Sequence, residues 1–180
     1  MGKASNKSMQ TDCLECSEND FADKPGMTVC AQCPVGFMTL DSGNAKCQLC
    51  LAGRYGVDRS QYGYNCRACD VGFYRSATKE NATECDKCDI GLYQEETGQP
   101  SCLPCSPGRF ANTTGSRSCH LCDNGQFSFA TKETSCSHCL GGTGTFMRGS
   151  SFCSPCAKGK FSSTRTVVFF DDKPSMRTAI

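Results

Sequence analysis

Cys88-Asp89-Ile90-Gly91-Leu92-Tyr93 opens a phrase that closes, eight residues later, at Cys102-Leu103-Pro104-Cys105. Cys105 at once opens the next phrase, Ser106-Pro107-Gly108-Arg109-Phe110, which closes at Cys119 and Cys122. The unit is C-x-x-C-x-x-G-x-aromatic. Outward from this stretch it recurs nine times, with CxxC pairs at 13/16, 30/33, 47/50, 66/69, 85/88, 102/105, 119/122, 136/139 and 153/156. All 18 cysteines belong to it, and successive pairs start 17, 17, 19, 19, 17, 17, 17 and 17 residues apart. So regular a period predicts a solenoid-like tandem array.

Composition agrees with small stapled units. Leu, Ile, Val and Phe together make up 27 of 180 residues, or 15%, too few for an ordinary hydrophobic core. Cysteine at 18 of 180 residues is the composition of a disulfide scaffold, which persists in oxidising compartments. The 19 basic and 18 acidic residues nearly cancel, so no electrostatic footprint for nucleic acid or an anionic membrane exists. No apolar run approaches the roughly 18 residues of a membrane-spanning helix. The start, MGKASNKSMQTD, has no apolar stretch of the kind that directs secretion. Three readings follow: a leader outside the numbered chain, a piece of a longer protein, or reduced cysteines that bind metal in the cytosol.

Each phase of the repeat carries its own chemistry. Counted from the second cysteine of each pair, the third residue is Asn19 in the first repeat and glycine in the other eight, at 36, 53, 72, 91, 108, 125, 142 and 159. Glycine and asparagine tolerate the left-handed region, so the backbone is expected to turn there with positive φ. The fifth residue is aromatic in seven of nine repeats, at Phe21, Tyr55, Tyr74, Tyr93, Phe110, Phe127 and Phe161, with Met38 and Gly144 as exceptions. This side chain is expected to cover the neighbouring disulfides as a one-residue core, with Phe146 standing in for Gly144. A second turn residue, Gly26, Gly43, Asn81, Gly98, Gly115 or Gly149, precedes most closing cysteines. Alternation between the two turns is weak, so the fold class is small and disulfide-rich: an elongated tandem array of short irregular β-hairpin loops with almost no helix. Residues 1–12 read as a flexible tail, 13–161 as nine repeats, and 162–180 as a C-terminal segment with the short apolar run Thr166-Val167-Val168-Phe169-Phe170.

Two pairing schemes fit the cysteine count. One closes a single loop per bridge, joining Cys16 to Cys30, Cys33 to Cys47, Cys50 to Cys66, Cys69 to Cys85, Cys88 to Cys102, Cys105 to Cys119, Cys122 to Cys136 and Cys139 to Cys153, and leaves Cys13 and Cys156 unpaired. Each such bridge contributes about 3 kcal/mol in the chain-entropy account. The other scheme couples motifs crosswise and leaves one CxxC over. Spacing alone leaves both open.

The phrases CPVGFM, CLAGRY, CDVGFY, CDIGLY and CSPGRF resemble the ephrin-receptor-like cysteine-rich repeat, itself similar to the first submodule of tumour-necrosis-factor-receptor cysteine-rich domains. The resemblance covers about residues 13 to 161. It implies that the cysteine before x-x-G-x-aromatic bridges to the next cysteine along, and that the chain has a growth-factor-receptor cysteine-rich fold. It implies no ligand-binding residue.

C-x2-C-x13-C-x2-C is close to a four-cysteine zinc site, yet an odd number of motifs cannot fill such sites two at a time, and the glycine falls at the wrong phase for a knuckle. His120 and His138 occur inside two CxxC pairs at different internal positions and read as fillers. No second cysteine precedes histidine, which excludes haem attachment. Glu95-Glu96 and Asp171-Asp172 read as solvated turn residues. Sequons at Asn81 and Asn112 are candidate glycan carriers on loop tips; a third starts at Asn6.

The expected protein is therefore a non-enzymatic spacer or protein-interaction subunit, extracellular or in an oxidising organelle lumen. It needs no cofactor, has no nucleic-acid partner and no membrane span in this chain, and meets a protein partner through exposed loops and Val167, Val168, Phe169 and Phe170. Alternatives are a ligand-binding fragment of a receptor ectodomain, a structural subunit of a large lumenal complex, and a cytosolic zinc protein.

Overall fold

The computed structural model describes residues 1–5, 12–62, 65–78, 83–163 and 166–167. Asn6, Asn81, Val168, Phe169, Phe170, Asp171 and Asp172 lie outside the described residues, as do the side chains of Thr166 and Val167. The chain divides into two compact units, one of Met1–Cys88 with Gln94–Cys102, the other of Asp89–Tyr93 with the residues from Leu103 onward.

Every described repeat is built alike. After the second cysteine comes a four-residue turn, in which the fourth residue's N–H donates to the first residue's carbonyl, as from Arg109 to Ser106 at 3.1 Å. Pro107 and Gly108 occupy its centre, the residue types that a type II turn favours, and Gly108 has φ 82°. The turn leads into a short antiparallel pairing: in most repeats a two-residue strand faces the two residues between the next pair of cysteines, in the third Arg54–Gly56 faces Cys66–Ala68, and in the ninth Ser162–Ser163 faces Thr166–Val167. Arg109–Phe110 pairs with His120–Leu121, Leu92–Tyr93 with Leu103–Pro104, and Gln126–Phe127 with Ser137–His138. The register holds in the eighth repeat, where Thr143 faces Pro155 and Gly144 faces Ser154. Among the described residues, helix is confined to the single turn Arg59–Tyr62 in the longer third loop. Asp58 begins that turn, accepting hydrogen bonds from Ser60 N at 2.9 Å and Ser60 Oγ at 2.7 Å, and the hydroxyl bond first, then the backbone one, lowers the pKa of its carboxyl.

Within the segment expected as a tail, Lys3–Ala4 pairs with Leu14–Glu15. Gly2 there takes φ 75°, and its carbonyl accepts from Cys16 N at 2.9 Å, just as the Gly36 carbonyl accepts from Cys50 N at 2.9 Å. Met1 to Ser5 thus repeat the phase of the later turns.

Backbone hydrogen bonds join consecutive repeats. In the second unit, Gly108 N donates to Ser128 O at 2.8 Å, Ala111 N to Glu133 O at 3.1 Å, and Lys132 N to Cys105 O at 3.0 Å. In the first unit, Gly72 N, Arg75 N and Gly98 N make the equivalent bonds to Gln94 O, Gln99 O and Cys69 O at 2.7, 3.2 and 2.8 Å. These contacts bury the sixth residue after each second cysteine: Ala22, Thr39, Gly56, Arg75, Gln94, Ala111, Ser128, Thr145 and Ser162 are all buried. The fifth residue, expected as the core, is only half-buried at Phe21, Met38, Tyr55, Tyr74, Tyr93, Phe110 and Phe127. Two of these pack on the next repeat, Met38 on Cys50 and Cys66 and Tyr93 on Cys105, Ala111 and Cys119. Phe146 does not replace the aromatic missing at Gly144, because it is 61% exposed while Gly144 itself is buried.

Glycine at the first turn answers a second demand besides its φ. A Cβ on Gly53 would collide with Gly98 O, and one on Gly108 with Gly149 O, a carbonyl two repeats further on. A Cβ on Gly142, in the same phase, would meet nothing within 4 Å among the described residues. Gly142→Ala is therefore expected to lose only the left-handed penalty, about 1–2 kcal/mol. Gly108→Ala must in addition displace backbone, so its thermal midpoint, measured on the oxidised protein, should fall at least about twice as far. Equal losses would show that the close approach imposes no constraint.

Candidate functional site

Eight disulfides link Cys16–Cys30, Cys33–Cys47, Cys50–Cys66, Cys69–Cys85, Cys88–Cys102, Cys105–Cys119, Cys122–Cys136 and Cys139–Cys153. Cys13 is exposed and Cys156 half-buried, and neither is bridged. The opening sulfurs lie deepest: Cys69, Cys88, Cys105 and Cys122 have no exposed surface. Zinc requires thiolates, which a bridged cysteine cannot supply. Among the described residues no group of three or more His, Cys, Asp or Glu is placed to hold a metal.

His120 and His138 sit on the closing strands, both exposed, opposite Phe110 and Gln126. The His120 ring lies 5.6 Å from that of Phe110, a tilted cross-strand contact. Glu95 and Glu96 are exposed, Glu96 accepting from Gln99 Nε2 at 2.8 Å. Asn112 is exposed on the sixth loop, where Thr113 and Ser116 hold the turn through a 2.8 Å bond from Ser116 Oγ to Thr113 O.

Polar side chains that the sequence left unmarked brace the repeats from inside. Thr39 Oγ1 accepts from Asn19 N at 2.7 Å, Thr145 Oγ1 from Gly125 N at 2.9 Å, and Ser128 Oγ from Gly108 N at 2.9 Å. Arg75 is the largest of this set and is 1% exposed. Its Nη1 reaches back into the preceding turn and donates to Cys50 O at 2.9 Å, Leu51 O at 3.1 Å and Arg54 O at 2.9 Å. Burial lowers its pKa from the ordinary arginine value, and the guanidinium stays charged against the three carbonyl dipoles. The one available signal was a long cation in a phase otherwise filled by small or neutral residues. Asn65 has a similar role, donating from Nδ2 to Cys33 O and Phe37 O, each at 3.0 Å. Its Oδ1 is buried without a partner beside a depression of about 610 Å³, but is closed off from solvent there.

Phe129, Leu140, Phe146, Met147, Phe152 and Phe161 in the second unit are between 57% and 75% exposed. Phe146, Met147 and Phe152 surround a depression of about 310 Å³ formed by the eighth loop, whose rim carries Arg148 paired to Asp123 at 2.9 Å. The cluster is too exposed to serve a core.

Residues 76–118 match the family described as tyrosine-protein kinase ephrin type A/B receptor-like. No curated protein matches the chain.

Removing the Arg75 brace uncovers three carbonyls at once. Arg75→Ala is expected to destabilise the oxidised protein by about 2–4 kcal/mol, read as a fall in thermal midpoint. Arg75→Lys should recover part of the loss, because an ammonium retains donors that can reach the same turn. A midpoint unchanged by Arg75→Ala would remove Arg75 from the set of bracing residues.

Proposed function

Since the chain carries ephrin-receptor-like cysteine-rich repeats, we propose that it is a non-enzymatic spacer or protein-interaction module of an extracellular or other oxidising compartment. What supports this is how each repeat's interior is filled. One disulfide, one small or polar side chain and the backbone bonds to the next loop occupy it, so the apolar residues that remain stand outside. A protein partner meets Phe146, Met147 and Phe152, and the run from Val167 to Phe170 adds an anchoring strand. Asn81 and Asn112 carry glycans in this reading, and Cys13 and Cys156 keep free thiols.

The second reading is a ligand-binding fragment of a receptor ectodomain, and the receptor-like family matched by residues 76–118 favours it. No described helix is long and apolar enough to cross a membrane, so in this reading the span lies outside these residues.

Intact mass under non-reducing, denaturing conditions tests the compartment. Eight bridges should lower the mass by about two units each and leave two alkylatable thiols. Eighteen alkylatable thiols with stoichiometric zinc would overturn the reading. For the contact surface, the triple variant Phe146→Ser, Met147→Ser, Phe152→Ser and the double variant Val168→Ser, Phe169→Ser should each lose co-purification with the partner at full oxidation. Undiminished co-purification in both would refute those contact sites.

A further inference from the structure

The turn that carries Met147 does not depend on its side chain. Ser150 Oγ donates to Met147 O at 2.8 Å, and two repeats earlier the corresponding turn closes the same way, Ser116 Oγ donating to Thr113 O at 2.8 Å. Thr113 fills the phase of Met147 with an exposed polar side chain, so the carbonyl holds the turn whatever projects from it. The neighbouring positions follow suit: where the eighth loop has Phe146 and Phe152, the sixth has Asn112 and Ser118, both exposed. In the eighth loop Phe146 and Phe152 line one depression with Met147, which is 74% exposed. Ser128 N donates to Ser150 O at 3.3 Å, which brings Phe129, next in the chain and also exposed, alongside that loop. Met38, by contrast, is half-buried on the Cys50–Cys66 bridge, and Met1, though 78% exposed, belongs to the first unit. Met147 is thus a thioether open to solvent, set among aromatic rings, at a position where the fold accepts a polar residue.

We infer that Met147 is an oxidation site, at which a hydroperoxide converts the thioether to the sulfoxide and so removes the apolar character of the eighth-loop surface. The sulfur lone pair attacks the terminal peroxide oxygen, and the S–O bond forms as the O–O bond breaks. Sulfur gives up two electrons, the proton on the transferred oxygen passes to the departing one, and the hydroperoxide leaves as water or an alcohol. The product side chain is polar, yet the turn beneath it keeps the bond from Ser150, so the surface changes and the fold does not. Methionine sulfoxide reductases reverse the step, which makes it a switch rather than a lesion. The inference deepens the contact reading above and rests on it: the sulfoxide puts a polar oxygen into the surface that a protein partner covers.

Hydrogen peroxide tests it on the full chain, with Cys13 and Cys156 alkylated and the bridges verified by mass. Peptide mass mapping follows each methionine, and retention on a phenyl-substituted matrix serves as the apolar probe. Met147 should reach the sulfoxide about fivefold or more faster than Met38. Retention should fall as Met147 sulfoxide accumulates, at an unchanged thermal midpoint, and should return after treatment with sulfoxide reductases. Met147→Leu should be retained like the untreated wild type and keep that retention in peroxide, even though Met1 is oxidised. Unchanged retention at complete Met147 oxidation, an equal fall in Met147→Leu, or a lowered thermal midpoint would each overturn the inference. The matrix stands in for the partner, so these outcomes judge the modification by itself, while the contact reading stands or falls on the serine variants above.

Discussion

The hydrogen bonds that pass from one loop's backbone to the next are the constraint on which the remaining structure depends. They form only if three groups of each repeat arrive in place: the N–H of the first-turn residue, that of the residue after the aromatic, and that of the second turn. A chain with 27 of 180 residues drawn from Leu, Ile, Val and Phe cannot place them by burial. The disulfides do so instead, closing loops of sequence separation 14 or 16 and removing the conformations in which the groups would miss. Glycine follows from this, since a neighbour's carbonyl arrives where a Cβ would stand.

Variation is admitted where the backbone does not need it excluded. Asn19 takes the glycine phase with φ 65°, and its repeat reaches the third through Asp20, whose Oδ1 accepts from Arg59 Nη1 at 2.8 Å. Arg59 belongs to the helical turn that fills the third repeat's extra length. Arg75 follows a loop of the same extra length and fills the space below it with a guanidinium. Lys132 occupies the second-turn position with φ 64°, where its N–H donates to Cys105 O at 3.0 Å and its carbonyl stands against Gly91.

Those contrasts explain what the sequence made legible. Covalent and steric demands restrict residue type, so the cysteine period and the glycine phase could be read directly, and with them the small disulfide-rich class of short hairpins. The buried sixth position could not, because its backbone makes the joining bonds whatever the residue, and the side chains that add a brace differ in kind; Ala22, Thr39, Gln94 and Ser128 share no side-chain property that a periodicity would expose. The aromatic phase was visible, but its half-burial depends on the repeat after it. The exposed cluster of Phe146, Met147 and Phe152 carries no periodic mark either, since it breaks the repeat rather than expressing it.

The bridges also lie in series along the chain, and this decides how the protein would respond to a pulling force. A load entering at Cys105 crosses to Cys119 through the bridge, a Cα separation of 5.7 Å, and continues through three residues to Cys122. With about 3.4 Å per residue, one repeat can then lengthen to only about 16 Å, against roughly 58 Å for the same 17 residues without the bridge. The chain is thus a nearly inextensible tether while oxidised. Reduction of a single bridge would release about 40 Å of slack at one known place.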